Sequence, residues 1–164
     1  MQPSVLTQAL VLFAGLASVC KAHFVLQIPT SLGFDDEAEG EFPCGGFNAH
    51  SRNNVTLWPV EGSAVSVLTT HSEATWEFKA ALLSDLGHWV RVNRVLSQTG
   101  VGDFCEPAIP VKASWAGKRG VLQVVQHGDD GDLYQCAAVK FVHGGPASPP
   151  AGCINDTVIA AHWL

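Results

Sequence analysis

Val121-Leu122-Gln123-Val124-Val125-Gln126 and Tyr134-Gln135-Cys136-Ala137-Ala138-Val139-Lys140-Phe141-Val142 flank the acidic turn Gly128-Asp129-Asp130-Gly131-Asp132. Both runs favour branched side chains, which suit a pleated and half-buried surface, and the Gly/Asp cluster between them is turn chemistry. Together they read as a β-hairpin with a long polar tip. Outward from it, Thr75 to Ala80 sets Trp76, Phe78 and Ala80 against Glu77 and Lys79, a clear period of two. Ser63 to Thr70 is rich in Val and Thr, and Phe24 to Ile28 alternates until Pro29 stops it. Around Trp89 to Leu96 the pattern fits helix and strand equally. Residues 31 to 60 carry few strand signals and read as a long loop pinned by Cys44. Gly144 to Pro150 is a Gly/Pro/Ser stretch, and a short apolar tail follows Cys153. No stretch keeps a helical period over three turns. The chain is therefore expected to be all-β, an antiparallel β-sandwich with long loops.

The 164 residues favour one domain, and a hydrophobic share of 47% is enough to build its core. A formal net charge of −6, with no cluster of Lys or Arg, disfavours nucleic acid and anionic membrane surfaces as partners. Val5 to Val19 is almost continuously apolar, too short to span a bilayer and the right length for a signal-peptide core. It leads to Val19-Cys20-Lys21-Ala22, where small Cys20 and Ala22 stand ready for a cut before His23. Residues 1–22 are accordingly read as a signal peptide and residues 23–164 as the folded domain, secreted to the cell exterior. That cut leaves Cys44, Cys105, Cys136 and Cys153, an even number that implies two disulfides in an exported chain. Three pairings are open. Asn54-Val55-Thr56 and Asn155-Asp156-Thr157 are acceptor motifs for N-glycans.

An N-terminal histidine has a chemistry that no internal histidine shares. The free α-amine and imidazole Nδ1 of His23 can chelate one metal ion, and a second histidine completes three nitrogens. Such a set suits Cu(II), which stands at the top of the affinity order for divalent ions. In the uncut chain the same amine is an amide, so that form should bring two imidazoles together around an incomplete site.

The surrounding residues strengthen this reading. His23-Phe24-Val25-Leu26-Gln27-Ile28-Pro29-Thr30-Ser31-Leu32-Gly33-Phe34-Asp35 comes first, then Pro43-Cys44-Gly45-Gly46-Phe47. Gly100-Val101-Gly102-Asp103-Phe104-Cys105-Glu106-Pro107 follows. Next come Leu122-Gln123-Val124-Val125, Gly131-Asp132-Leu133-Tyr134-Gln135-Cys136-Ala137 and Cys153-Ile154-Asn155-Asp156-Thr157. In this order and spacing the chain resembles the fungal copper proteins related to lytic polysaccharide monooxygenases, the copper acquisition factors of the BIM type. The resemblance spans essentially all of residues 23–164. It implies an immunoglobulin- or fibronectin-like sandwich holding Cu(II) in a histidine brace, with His23 and His71 as nitrogen ligands. It also implies an aspartate at the copper, for which Asp130 is the first choice and Asp103 and Asp132 are alternatives. The family usually reads Cys-Ala-Asp where this chain has Cys136-Ala137-Ala138, which is read as the loss of a structural residue.

The resemblance implies a non-catalytic protein of copper acquisition or homeostasis, with copper and a cell-surface copper transporter as partners. Two alternatives stand beside it: a copper-dependent polysaccharide monooxygenase, which would contact polysaccharide, and a metal-free cell-wall or adhesion module. No Gly-x-Ser-x-Gly or His-Glu-x-x-His motif points to a hydrolase. His50, His88, His127, His143 and His162 are read as surface residues, with His127 close to Asp130. Trp58, Trp76, Trp89 and Trp115 are read as packing, and Tyr134 as buried. Members of the family often carry a lipid-anchor signal. The residues after Cys153 lack the hydrophobic tail of about 10–20 residues that such a signal needs, so the expectation is either a soluble protein or a sequence that has lost its true end, with cell-surface association left open.

Overall fold

The computed structural model describes residues 22–145 and 148–164. All of the signal-peptide reading except Ala22 lies outside the described residues. Ten strands follow in chain order: β1 (Phe24–Ile28), β2 (Thr56–Pro59), β3 (Ser63–Thr69), β4 (Glu73–Leu82) and β5 (Val90–Arg91). Then come β6 (Leu96–Thr99), β7 (Gly102–Ile109), β8 (Arg119–Gly128), β9 (Gly131–Val142) and β10 (Ala160–Trp163). A single 3-10 turn, Ala113–Trp115, lies between β7 and β8.

These strands form two sheets. The smaller has the order β1-β3-β7 and the larger β10-β6-β4-β8-β9-β2, with β5 attached to β4. Every pairing is antiparallel except β2 with β9, which is parallel. The all-β sandwich with two disulfides is thus what the chain forms. Its core takes Phe24 and Leu26 from β1, Val65 and Val67 from β3 and Phe104 from β7. Against them pack Trp76, Phe78, Leu122, Val124, Val139 and Phe141 of the larger sheet. Burying each such side chain is worth about 1.5–3 kcal/mol. The alternation from Ala74 to Ala80 in β4 follows directly, with the apolar members buried and the polar ones half-buried.

The central strand β8 is buried on both faces, as its near-continuous apolar run requires. Its outer face is covered by the chain between β1 and β2, where Cys44, Ala49 and Phe47 pack with Val121 and Cys136. The disulfides are Cys44–Cys136 and Cys105–Cys153. Arg52 clamps the same segment by donating to the carbonyls of Gly120 at 2.8 Å and Val139 at 2.6 Å.

Several local expectations need correction. Residues 31–60 are not all loop, because Thr56–Pro59 pairs with β9. Trp89 to Leu96 resolves as strand on either side of a break. The hairpin tip is tight and not long: Gly128 pairs with Gly131, which leaves Asp129 and Asp130 alone in the turn. The short apolar tail after Cys153 is not irregular, because Ala160–Trp163 forms β10 against β6.

Candidate metal centre

Register brings residues 22–23 to His71. Phe24 pairs with Thr69 at the end of β1 and β3, and Thr70 N donates to His23 O at 2.9 Å. His23 N donates to Thr70 Oγ1 at 2.7 Å, so the next residue along, His71, comes alongside Ala22. The β8–β9 turn arrives from the other sheet. Thr75 of β4 pairs with His127, which carries Gly128 and the Asp129-Asp130 tip up to His71.

His71 is the fixed part of this arrangement. It is only 7% exposed, and its Nε2 donates to Asp130 Oδ1 at 2.8 Å. Its backbone N–H donates to Thr69 Oγ1 at 3.2 Å. A Cβ added at Gly128 would stand 2.5 Å from His71 Nε2, so the ring occupies space that only glycine leaves free. The inner ring nitrogen, Nδ1, is buried without a hydrogen-bond partner among the described residues. Asp130 also accepts from the Ala22 amide at 3.3 Å on Oδ2. Its carboxyl is held below the usual aspartate range, chiefly by the hydrogen bond from His71.

His23 is engaged elsewhere. Its Nδ1 donates to Glu39 Oε2 at 3.1 Å, and Glu39 is 1% exposed. Glu39 Oε1 accepts from Gln135 Nε2 at 2.8 Å and from Phe24 N at 3.4 Å. Burial pushes the Glu39 carboxyl above the usual range, against the pull of Gln135, His23 and Phe24. The two imidazoles are thus held by different carboxylates. Among the described residues, no three His, Cys, Asp or Glu side chains converge as a ready metal cluster. Ala22 and Asp130 both line two small clefts, one reaching His23 and the other His71. A further cleft, at Leu83, Ser84 and Gly117–Arg119, has no histidine or carboxylate among its described lining residues.

The other candidates have their own partners. Asp103 accepts from Gln27 Nε2 at 3.0 Å and is not with His71. Asp132 lines the cleft at His23, but its carboxylate takes His127 Nδ1 at 2.6 Å and the Tyr134 hydroxyl at 3.2 Å. His127 therefore serves Asp132 and not Asp130. Tyr134 is half-buried, a correction to the expectation of full burial. Ala138 is buried well along β9, away from the turn. His50 and His162 are exposed, His88 pairs with Asp85 and His143 with Glu61, as surface residues do. Trp58, Trp76 and Trp115 are core. The reading of the sequence missed Glu39, Gly128 and Gln135. Only Gly128 left a signal, a small residue directly before the acidic pair.

The donor set fits copper. Imidazole and carboxylate are suitable ligands for Cu(II), and the space kept by Gly128 holds the His71 ring against Asp130. His23 has the second imidazole, turned toward Glu39 in the chain that still carries Ala22.

Comparison with known proteins gives the same direction. Residues 21–158 match the family described as copper acquisition factor BIM1-like. An uncharacterised Aspergillus fumigatus protein is 35% identical over 157 aligned residues, covering 88% of this chain and 64% of the relative. The lytic polysaccharide monooxygenase-like protein X325 of Yarrowia lipolytica is 30% identical, covering 92% of this chain and 60% of the relative. The copper acquisition factor BIM1 of Cryptococcus neoformans var. grubii is 29% identical, covering 90% and 72%. The chain thus spans under two thirds of the length of the first two. With a family match over most of its length, this chain belongs to the BIM1-like copper acquisition factors.

Proposed function

We propose that this protein works outside the cell as a non-catalytic Cu(II)-binding protein of copper acquisition, with the ion as cargo. After residues 1–22 are removed, the amine and Nδ1 of His23 bind the ion together with His71 Nε2 and the Asp130 carboxylate. The observation that carries this reading is the His71–Asp130 pair at 2.8 Å, with the backbone at residue 22 held by the same carboxylate. Two disulfides favour an oxidising compartment. A cell-surface copper transporter is the proposed recipient.

The ligands alone would also serve oxygen chemistry, and one relative is named for its likeness to the monooxygenases. The surface aromatics argue against a sugar platform. Phe42 meets Tyr134 at 90° and Trp89 at 76°, and Phe34 meets the His23 ring at 81°. These three pairs stand edge-on, unlike the coplanar rings that would form a flat platform on a polysaccharide.

The test is a Cu(II) titration of protein beginning at His23, beside a form carrying one extra N-terminal residue. Tight one-to-one binding that requires the free His23 amine is expected. Equal and weak binding by both forms would overturn the copper site.

A further inference from the structure

Asp35, Asp36, Glu37, Glu39 and Glu41 crowd one stretch ahead of Cys44, and four of them lie exposed in the ordinary way. Glu39 does not. It is 1% exposed, and none of its hydrogen-bond partners is a lysine or arginine. Among the described residues, its one partner able to carry positive charge is His23. A carboxylate withdrawn from water so completely is costly unless a cation or several donors compensate it.

Its placement is built by three devices. The Glu39 carbonyl accepts from Tyr134 N at 2.8 Å, which ties the loop to the start of β9. Gly45, at φ +60°, passes close to that same residue's backbone, where a Cβ would lie 3.3 Å from Glu39 Cα. Gln135 does the rest. Its Oε1 accepts from Leu26 N at 3.0 Å, and its Nε2 donates to the Phe24 carbonyl and to Glu39. Gln135 therefore acts as a missing neighbour strand for β1 and fixes Glu39 in the same contact.

We infer that Glu39 is a further functional residue of this site, a buried carboxylate that holds the His23 ring in the metal-free protein and offsets the charge of a cation that takes the ring nitrogen. This rests on the copper reading given above. The nitrogen that Glu39 holds, Nδ1 at 3.1 Å, is the one that would chelate together with the freed amine; a cation there displaces the Nδ1 proton and its hydrogen bond, leaving Glu39 to act through its charge. A cation taken up there comes into the field of a charge that water screens poorly. Asp130 serves the His71 side, and Glu39 serves the His23 side.

The test compares unsubstituted protein beginning at His23 with its Glu39→Gln and Glu39→Asp variants, using Cu(II) itself as the probe. Glutamine keeps an acceptor for Phe24 and Gln135 while removing the charge. Copper affinity is expected to fall about 10–100-fold, the scale for a residue that supports a ligand. The Cu(II)/Cu(I) potential should rise, because losing a negative charge penalises the divalent ion more. Aspartate, which restores the charge with a shorter reach, should recover part of both. Metal-free melting of each variant reports whether it folds. If Glu39→Gln does not fold, weakened copper binding by Glu39→Asp is required for the inference to stand. Tight binding by the unsubstituted protein, with affinity and potential unchanged in Glu39→Gln, overturns the role of Glu39 alone. Failure of the unsubstituted protein to bind copper overturns this role together with the site.

Discussion

His71 and His23 lie close in the fold but are held in opposite ways. His71 follows a paired strand, is almost wholly buried, and has its ring wedged against Gly128 and bonded to Asp130. His23 precedes a strand, is 23% exposed, and hangs from a loop carboxylate at one side and the Ala22 peptide at the other. One half of the site is set by sheet register and steric exclusion. The other half depends on a loop, a disulfide and a peptide bond. On the proposed reading, the difference teaches that a metal centre can be rigid at one ligand and left for covalent processing to finish at the other.

The largest effect should come from the loop that holds the His23 side. Replacing Cys44 and Cys136 by serine opens a cross-link between residues 92 apart in sequence. A loss of about 4–5 kcal/mol is expected from chain entropy, read as the shift in a denaturant midpoint. Copper affinity should fall with it; unchanged affinity would show that the covering loop does not position His23.

Gly128→Ala attacks the other half without touching a ligand. The added Cβ would press on His71 Nε2 and stand 3.0 Å from Asp130 Oδ1. Overpacking of this kind costs about 1–3 kcal/mol, and His71 must swing away from Asp130. A loss of copper binding larger than the loss of stability would sharpen the contrast between the two halves. A variant that binds copper normally would break it.

Asp130→Asn tests the charge at the fixed half and should weaken copper binding by about 10–100-fold. It also carries a signature in metal-free protein. Because the folded carboxyl titrates below its unfolded value, ionisation favours the fold. That stability is present above the ordinary aspartate range and lost as pH falls through the depressed value. Acid melting curves of the asparagine variant should lack this increment; identical curves would remove the His71–Asp130 pair from the account.

The smallest effect lies away from both halves, and serves as a control. Glu106 in β7 has its carboxyl raised by burial alone, so ionisation there opposes folding. The fold is free of that burden below the unfolded value and acquires it as pH rises through the folded one. Glu106→Gln should stabilise the protein by less than about 1 kcal/mol at neutral pH, with no gain in acid and no change in copper binding. Thermal melts at both pH values would check this.

β1 and β4 were legible because each alternates and buries one face, β3 because its run is rich in Val and Thr, and β8 and β9 because their branched runs bracket a turn. β7 was obscure, since Gly102 and Pro107 interrupt its pattern. β2 and β10 are short edge strands of four residues each, and neither builds a period. The hairpin was read as long-tipped because His127, Gly128, Gly131 and Asp132 look like turn residues, yet each continues the ladder. The approach of Asp130 to His71 was legible from its place in a turn at a sheet end. Disulfide pairing was not, because it depends on which strands neighbour one another. Glu39 could not be told from the acids around it, since burial of one carboxylate among five is decided by Gln135, far along the chain.

The pairing of β1 also bears on the proposed removal of residues 1–22. Phe24 and Leu26 are locked into the core, with β3 on one flank and the Gln135 side chain on the other. A slip by one residue would turn those side chains out to water. The strand is therefore a ruler that keeps residue 23 level with Thr70 wherever the backbone is severed. A cut one position early would leave alanine at the mouth of the site, and one position late would discard the histidine. On that reading, the identity of the first residue rests on where the peptide bond is broken.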